Sequence, residues 1–199
     1  MVSIFASMSD VFKDYLKGKV SFTDEQFKAI SALYTSKKVS KGTIILREGE
    51  VCQHNIFVTK GCLRSYVVDK NGKEQIVQFA PENWWISDQN SLLKQEPAMF
   101  FIDAIEDSEV LLSERDFNDR FSAILPSGAQ MMQMLFHNSF KAMQKRVINL
   151  LSASAEERYL EFIKLYPTVA LRVPQKMIAS YLGITPESLS RIRKDVAHQ

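Results

Sequence analysis

Glu187, Ser188 and Arg191 lie within little more than one helical turn near the C-terminal end of the chain. That spacing puts all three on one edge of a helix. The types suit base edges in a major groove, where an arginine pairs bidentately with guanine and a carboxylate accepts from cytosine N4–H. Around them Gln175, Lys176, Thr185, Ser190, Arg193 and Lys194 are candidates for phosphate contacts. From residue 172 on, five cations (Arg172, Lys176, Arg191, Arg193, Lys194) stand against two acids (Glu187, Asp195), although the whole chain carries only +2. A basic end on a nearly neutral body favours phosphate. The alternative is an ordinary helical hairpin with a solvated charged face.

Two short helices joined by one tight turn must position these side chains. Pro174 suits a first helical position, and Met177, Ile178, Tyr181 and Leu182 recur at helical spacing. Gly183 ends that helix because a C′ residue needs positive φ. Thr185 is the expected N-cap of the second helix, Pro186 its N1 residue, and Ile184 with Leu189 a hydrophobic staple across the cap. Leu189 and Ile192 then face inward, which turns Glu187, Ser188 and Arg191 outward.

This segment resembles the helix-turn-helix of the Crp/Fnr (cAMP receptor protein) superfamily of bacterial transcription regulators. In that family a Glu, a Ser or Thr and an Arg of the recognition helix read bases, and the resemblance assigns those roles to Glu187, Ser188 and Arg191. Pro186 stands where familiar members carry a basic residue, so their operator sequence does not transfer. Only six residues follow Arg193, which leaves no room there for the family's β-hairpin wing and places more of the affinity on two recognition helices.

Upstream, helices are expected over Ser7 to Leu16 and from Thr23 to about Tyr34, the second with a Thr23/Gln26 capping box and a Phe22/Phe27 staple. From Lys37 to Glu114 short β-rich runs alternate with turn residues, beginning at Lys38–Val39, and Asn71-Gly72 predicts a type I′ hairpin turn. The runs KGTIILREGE and NIFVTKGCLRSYVVDKNGKE are similar to the first half of cyclic-nucleotide-binding domains. Ser113 is expected to cap a short helix over Glu114 to Phe121. A long helix from Ser127 to Ser152 carries Met131, Leu135, Ala142, Val147, Leu150 and Leu151 near one stripe, interrupted at Gly128, Asn138, Ser139 and Gln144. A further helix covers Ala155 to Tyr166, and Thr168 to Val173 reads as a loop.

The fold expectation is therefore α+β: an N-terminal double-stranded β-helix of the jelly-roll, cyclic-nucleotide-binding-like type, a long dimerisation helix, and a C-terminal helix-turn-helix without a β-wing. The corresponding division is 1–125 sensor domain, 126–152 dimerisation helix and 153–199 DNA-binding domain. The resemblance implies a homodimer on two-fold double-stranded DNA and, further, contact with RNA polymerase. Packing of the long helix on its own barrel is the alternative to pairing.

The barrel resemblance also raises cAMP. The family holds the cyclic phosphate with a Gly-Glu pair and, about ten residues later, an Arg-Ser or Arg-Thr pair; Ser87, Asp88 and Ala98, Met99 occupy those places. No Arg or Lys lies between Lys94 and Arg115, and a buried phosphate without a cation is poorly compensated. cAMP binding in the family manner is therefore not expected. Either a less charged small-molecule effector enters, with Arg64, Tyr66, Trp85, Asp88, Met99 and Phe101 as candidate pocket residues, or the barrel is a scaffold.

Ordinary hydrophobic (46%) and charged (24%) fractions, the lack of an apolar run near the ~20 residues of a membrane helix, and an N-terminus unlike a signal sequence point to a cytoplasmic location with no membrane partner. Cys52 and Cys62 form no ligand-spaced motif, and no cysteine group precedes them to hold an iron–sulfur cluster. His54, His137 and His198 are scattered, and no GxSxG, P-loop, GxGxxG or HExxH occurs, so neither a metal site nor catalytic residues are expected.

Overall fold

The computed structural model describes residues 7–197. The chain divides into two compact units, one formed up to Ser65 and by Ala80–Phe136, the other by Tyr66–Phe79 and the chain from His137 on. The linear division expected from the sequence does not separate out Tyr66–Phe79, which group with the C-terminal helices.

The first unit begins with α1 (Met8–Lys17) and α2 (Asp24–Ser31). The α2 capping box is present in both directions, and the Phe22 and Phe27 rings stack at 5.7 Å. The helix stops at Ser31, short of the expected Tyr34, because Tyr34 opens β1 (Tyr34–Val39). There strand pairing overrides the helical period of Ile30 and Leu33. The following elements are β2 (Ile44–Leu46), β3 (Asn55–Lys60), β4 (Leu63–Val68), β5 (Glu74–Ala80), β6 (Trp85–Ile86), α3 (Gln89–Lys94), β7 (Phe101–Ala104) and β8 (Ser108–Ser113). They form two four-stranded sheets in the orders β1-β8-β3-β6 and β2-β7-β4-β5, the double-stranded β-helix anticipated. β1 pairs antiparallel with β8 along its whole length, from Tyr34 opposite Ser113 to Val39 opposite Ser108.

Strand alternation explains how one sheet serves two cores. Ile56 and Val58 on β3 join Leu63, Ile102 and Val110 inside the barrel. Phe57, between them, faces the opposite way and packs with Phe12, Leu16, Ile30 and Phe121 of the helices. Each such side chain contributes about 1.5–3 kcal/mol of burial as an upper estimate.

Helix α4 (Phe117–Ile124) starts three residues later than expected. Ser113 is not its cap; it stays in β8, and its hydroxyl donates to the Asn55 carbonyl at 3.3 Å. The long α5 runs from Pro126 to Ser152. Gly128 at its start does not interrupt a seam: it is buried, and a Cβ there would come within 2.9 Å of the Phe121 ring. A glycine is what lets α4 and α5 cross this closely.

In the second unit the hairpin at 69–73 departs from the expected type I′ turn. Gly72 has φ +77° but Asn71 is not among the positive-φ residues, and the amides of Gly72 and Asp69 bond to the Asp69 and Lys73 carbonyls at 2.8 and 2.9 Å. That is a three-residue loop closed by a single glycine. The Asp69 side chain supplies what the second positive φ would have, accepting from the amides of Asn71 and Lys73.

The C-terminal helices are α6 (Ala155–Leu165), α7 (Val169–Arg172), α8 (Gln175–Leu182) and α9 (Pro186–Ala197). A Ser154/Glu157 capping box starts α6, and the stretch expected as a loop holds the single turn of α7. Phe79, Phe162, Tyr166 and Tyr181 form a ring cluster with centroids 5.4–6.0 Å apart. Among the described residues no strand follows β8.

Candidate nucleic-acid interface

Local chemistry builds the α8–α9 corner. Pro174 is the N-cap of α8, not its first helical residue: its φ −55°, ψ 137° are extended, and its carbonyl accepts from the Met177 and Ile178 amides. Gly183 takes φ +66°, and the Ile184 amide returns to the Ala179 carbonyl at 3.0 Å, closing the turn. The Thr185 hydroxyl then accepts from the Ser188 amide at 3.2 Å, and the Thr185 carbonyl from the Leu189 amide at 3.0 Å. This N-cap fixes the rotation of α9 from its first turn. Leu189 is fully buried, and α9 packs on α6 and α8.

With Leu189 inward, Glu187 and Arg191 are exposed, Ser188 and Ile192 half-buried. Glu187 sits in the first turn of α9, where the helix dipole favours an anion. Its carboxyl is held below the usual glutamate range by its own backbone N–H, by Thr185 and by Arg191 one turn on. Gln175, Lys176, Thr185, Ser190 and Lys194 are exposed and Arg193 half-buried. The corner thus presents an acceptor, a hydroxyl and a guanidinium on one edge, flanked by cations, which is chemistry able to meet base edges and phosphates.

Behind this corner, within the same unit, Arg146 of α5 donates to the carbonyls of Val77, Ile76 (2.8 Å) and Tyr181 (3.1 Å) and lies 4.1 Å from the Tyr181 ring centroid. Ser180 of α8 accepts from the Ile76 amide at 3.0 Å and donates to the Glu74 carbonyl at 2.9 Å. A strand edge therefore holds α8. No sequence signal marks this, since it joins residues more than a hundred positions apart.

The barrel candidates do not assemble into one pocket. Arg64 is buried in a bidentate pair with Asp103, at 2.7 and 2.8 Å. Trp85 belongs to the aromatic cluster of the N-terminal helices, 5.9 Å from Phe12 and 5.0 Å from Phe57. Tyr66 is buried and falls in the second unit, Phe101 is half-buried on β7, and Met99 is 61% exposed. Asp88 and Met99 are brought together, but by structure: Asp88 caps α3 and accepts from the Ser91 and Met99 amides at 3.0 and 2.8 Å. The sequence reading missed α3, although an Asp ahead of Ser91 at N-cap spacing was its signal.

These residues do not fit a cyclic phosphate. Both Asp88 oxygens accept from backbone amides and would face an incoming phosphate as a second anion, Ser87 donates to Asn55, and Lys94 is exposed. Cys52 and Cys62 are buried free thiols, His198 lies outside the described residues, and among the described residues no cluster of His, Cys, Asp or Glu could hold a metal ion. Among them, too, no helix is long and apolar enough to cross a membrane.

Comparison with known proteins agrees with this architecture. Residues 36–123 match the cyclic nucleotide-binding domain family. The chain is 26% identical over 167 residues to the anaerobic regulatory protein of Aggregatibacter actinomycetemcomitans, covering 78% of this chain and 64% of that protein. It is equally identical to the fumarate and nitrate reduction regulatory protein of Vibrio cholerae, covering 78% and 66%. The structure of FixK2 from Bradyrhizobium japonicum superposes with a TM-score of 0.70 at 23% identity over 83% of this chain and 85% of that one. Over these spans the chain is similar to regulators of the Crp/Fnr type. It spans about two thirds of the length of these two relatives.

Proposed function

We propose that this protein is a sequence-specific DNA-binding transcription regulator that acts as a homodimer. The observation that carries the reading is the α9 edge: Leu189 is buried while Glu187 and Arg191 project from a capped helix flanked by cations. Glu187, Ser188 and Arg191 read bases, and Gln175, Lys176, Thr185, Ser190, Arg193 and Lys194 contact phosphates. Two such helices enter successive major grooves about 34 Å apart on a two-fold operator.

Pairing rests on α5. Phe136, Phe140, Met143, Val147 and Leu150 follow a 4-3-4-3 spacing and are each 42–63% exposed. An apolar seam at heptad spacing is covered when two parallel helices meet. This seam differs from the stripe expected from the sequence, whose Met131 is buried in the first unit and whose Leu151 is 83% exposed. The protein works in the cytoplasm without cAMP, and RNA polymerase is its further partner.

A gel shift against pooled promoter DNA at two salt concentrations tests the reading. Retention that weakens steeply with salt, with a subset of fragments surviving, is expected. Absence of any shift at low salt refutes it and leaves a ligand-binding or protein-interaction module.

A further inference from the structure

We propose that the helical unit, not the barrel, holds the effector site, and that it takes a small organic anion with an apolar body. A cavity of about 110 Å³ lies between α5, α6 and α8. Arg146 and Arg158 both line it, and Phe162, Leu165 and Leu182 supply apolar walls. The one acid on its lining, Glu161, is paired with Lys145. Neither guanidinium makes an ion pair among the described residues: Arg146 has three backbone carbonyls and the Tyr181 ring face, and Arg158 has the Ala153 carbonyl at 2.8 Å. The Nε of each is buried and finds no acceptor. Burial pulls the Arg146 guanidinium below the usual arginine range.

Two half-buried cations beside one cavity have carbonyls and one ring face as partners but no counter-charge. A carboxylate placed there would gain charge-assisted hydrogen bonds and relieve both. The apolar walls select a ligand with a hydrocarbon part over a bare inorganic ion. An engineered cavity of about 150 Å³ accepts benzene, so this smaller one encloses roughly four non-hydrogen atoms, the carboxylate and the first carbons of a chain whose end extends out of its open side. Because the walls belong to α5 and to α8, occupancy would fix α8 against α5. That regulatory consequence rests on the DNA-binding reading, whereas the binding itself does not.

Isothermal titration calorimetry on the full chain without DNA tests the site, with hexanoate, hexanamide and inorganic phosphate as probes. Hexanoate is expected to bind once per chain, at least about tenfold more tightly than either other probe. Arg158→Gln is expected to weaken hexanoate about tenfold or more and leave hexanamide unchanged. No hexanoate binding at about 10 mM, equal binding of hexanamide or phosphate, or unchanged hexanoate affinity in folded Arg158→Gln would each overturn the proposal. The carboxylate-to-amide contrast on the unmodified chain needs no variant. Failure here with retained operator binding removes the effector site alone.

Discussion

Replacing Arg146 by Met removes a side chain that ties α5 to a strand edge and to the first helix of the α8–α9 corner. The guanidinium makes three hydrogen bonds to carbonyls and lies 4.1 Å from the Tyr181 ring centroid. At about 1 kcal/mol net for each bond, the contacts sum to about 3 kcal/mol, and the cation–π contact adds roughly 0.5–1. Methionine keeps much of the apolar volume and ends the cost of burying a charge, which offsets about 1 kcal/mol. The expected net loss is therefore about 2–3 kcal/mol. Urea unfolding followed by circular dichroism gives the magnitude, and amide hydrogen exchange gives the location. Faster exchange should appear at Ile76, whose amide bonds to Ser180, and along α8. Arg146→Lys should recover less than half, because one ammonium cannot span three carbonyls in fixed directions. A loss below about 0.5 kcal/mol with unchanged protection at Ile76 would show that the ties are incidental, since a desolvated charged hydrogen-bond network cannot be that cheap to remove.

Other perturbations separate the remaining parts of the account. Asp103→Ala should cost about 3–5 kcal/mol by removing the carboxylate paired with the buried Arg64, whereas Arg64→Met with Asp103→Leu should cost much less in the same unfolding assay. Val147→Glu with Met143→Glu should convert the proposed dimer to a monomer in analytical ultracentrifugation, since both project from the apolar seam of α5; an unchanged mass would move the interface elsewhere. On acidification the Glu187 and Glu157 carboxyls, both held below the usual range by cap hydrogen bonds, contribute stability present above their unfolded pKa and lost as pH falls through the lower folded value. Helix signal should therefore decline on acidification, and Thr185→Ala should shrink the part of that decline that Glu187 carries.

The elements legible in the sequence were those written in short-range chemistry. Thr185, Gly183 and the Thr23/Gln26 box each fix a helix end through contacts three to five residues apart, and all three formed. Misreadings arose where a distant partner decided the outcome. Tyr34 extends because β8 lies beside it, and Ser113 stays in its strand because Asn55 accepts from it; Asn71 is the local exception, its amide held by Asp69 two residues back. Gly128 looked like a gap in a seam until Phe121 was found against it. The outward edge of α9 was legible because one buried leucine and one cap set the rotation of that helix. The Arg146 tie and the cavity beside it were not, since three sequence-distant segments supply them.

Paired affinities on a selected duplex and on a random duplex of equal length test the central claim most directly. Arg191→Ala should lose about 1–3 kcal/mol on the selected duplex and much less on the random one, while Lys176→Ala weakens both alike. Equal losses on the two duplexes for Arg191→Ala would mean that the exposed edge of α9 carries charge to DNA without reading it.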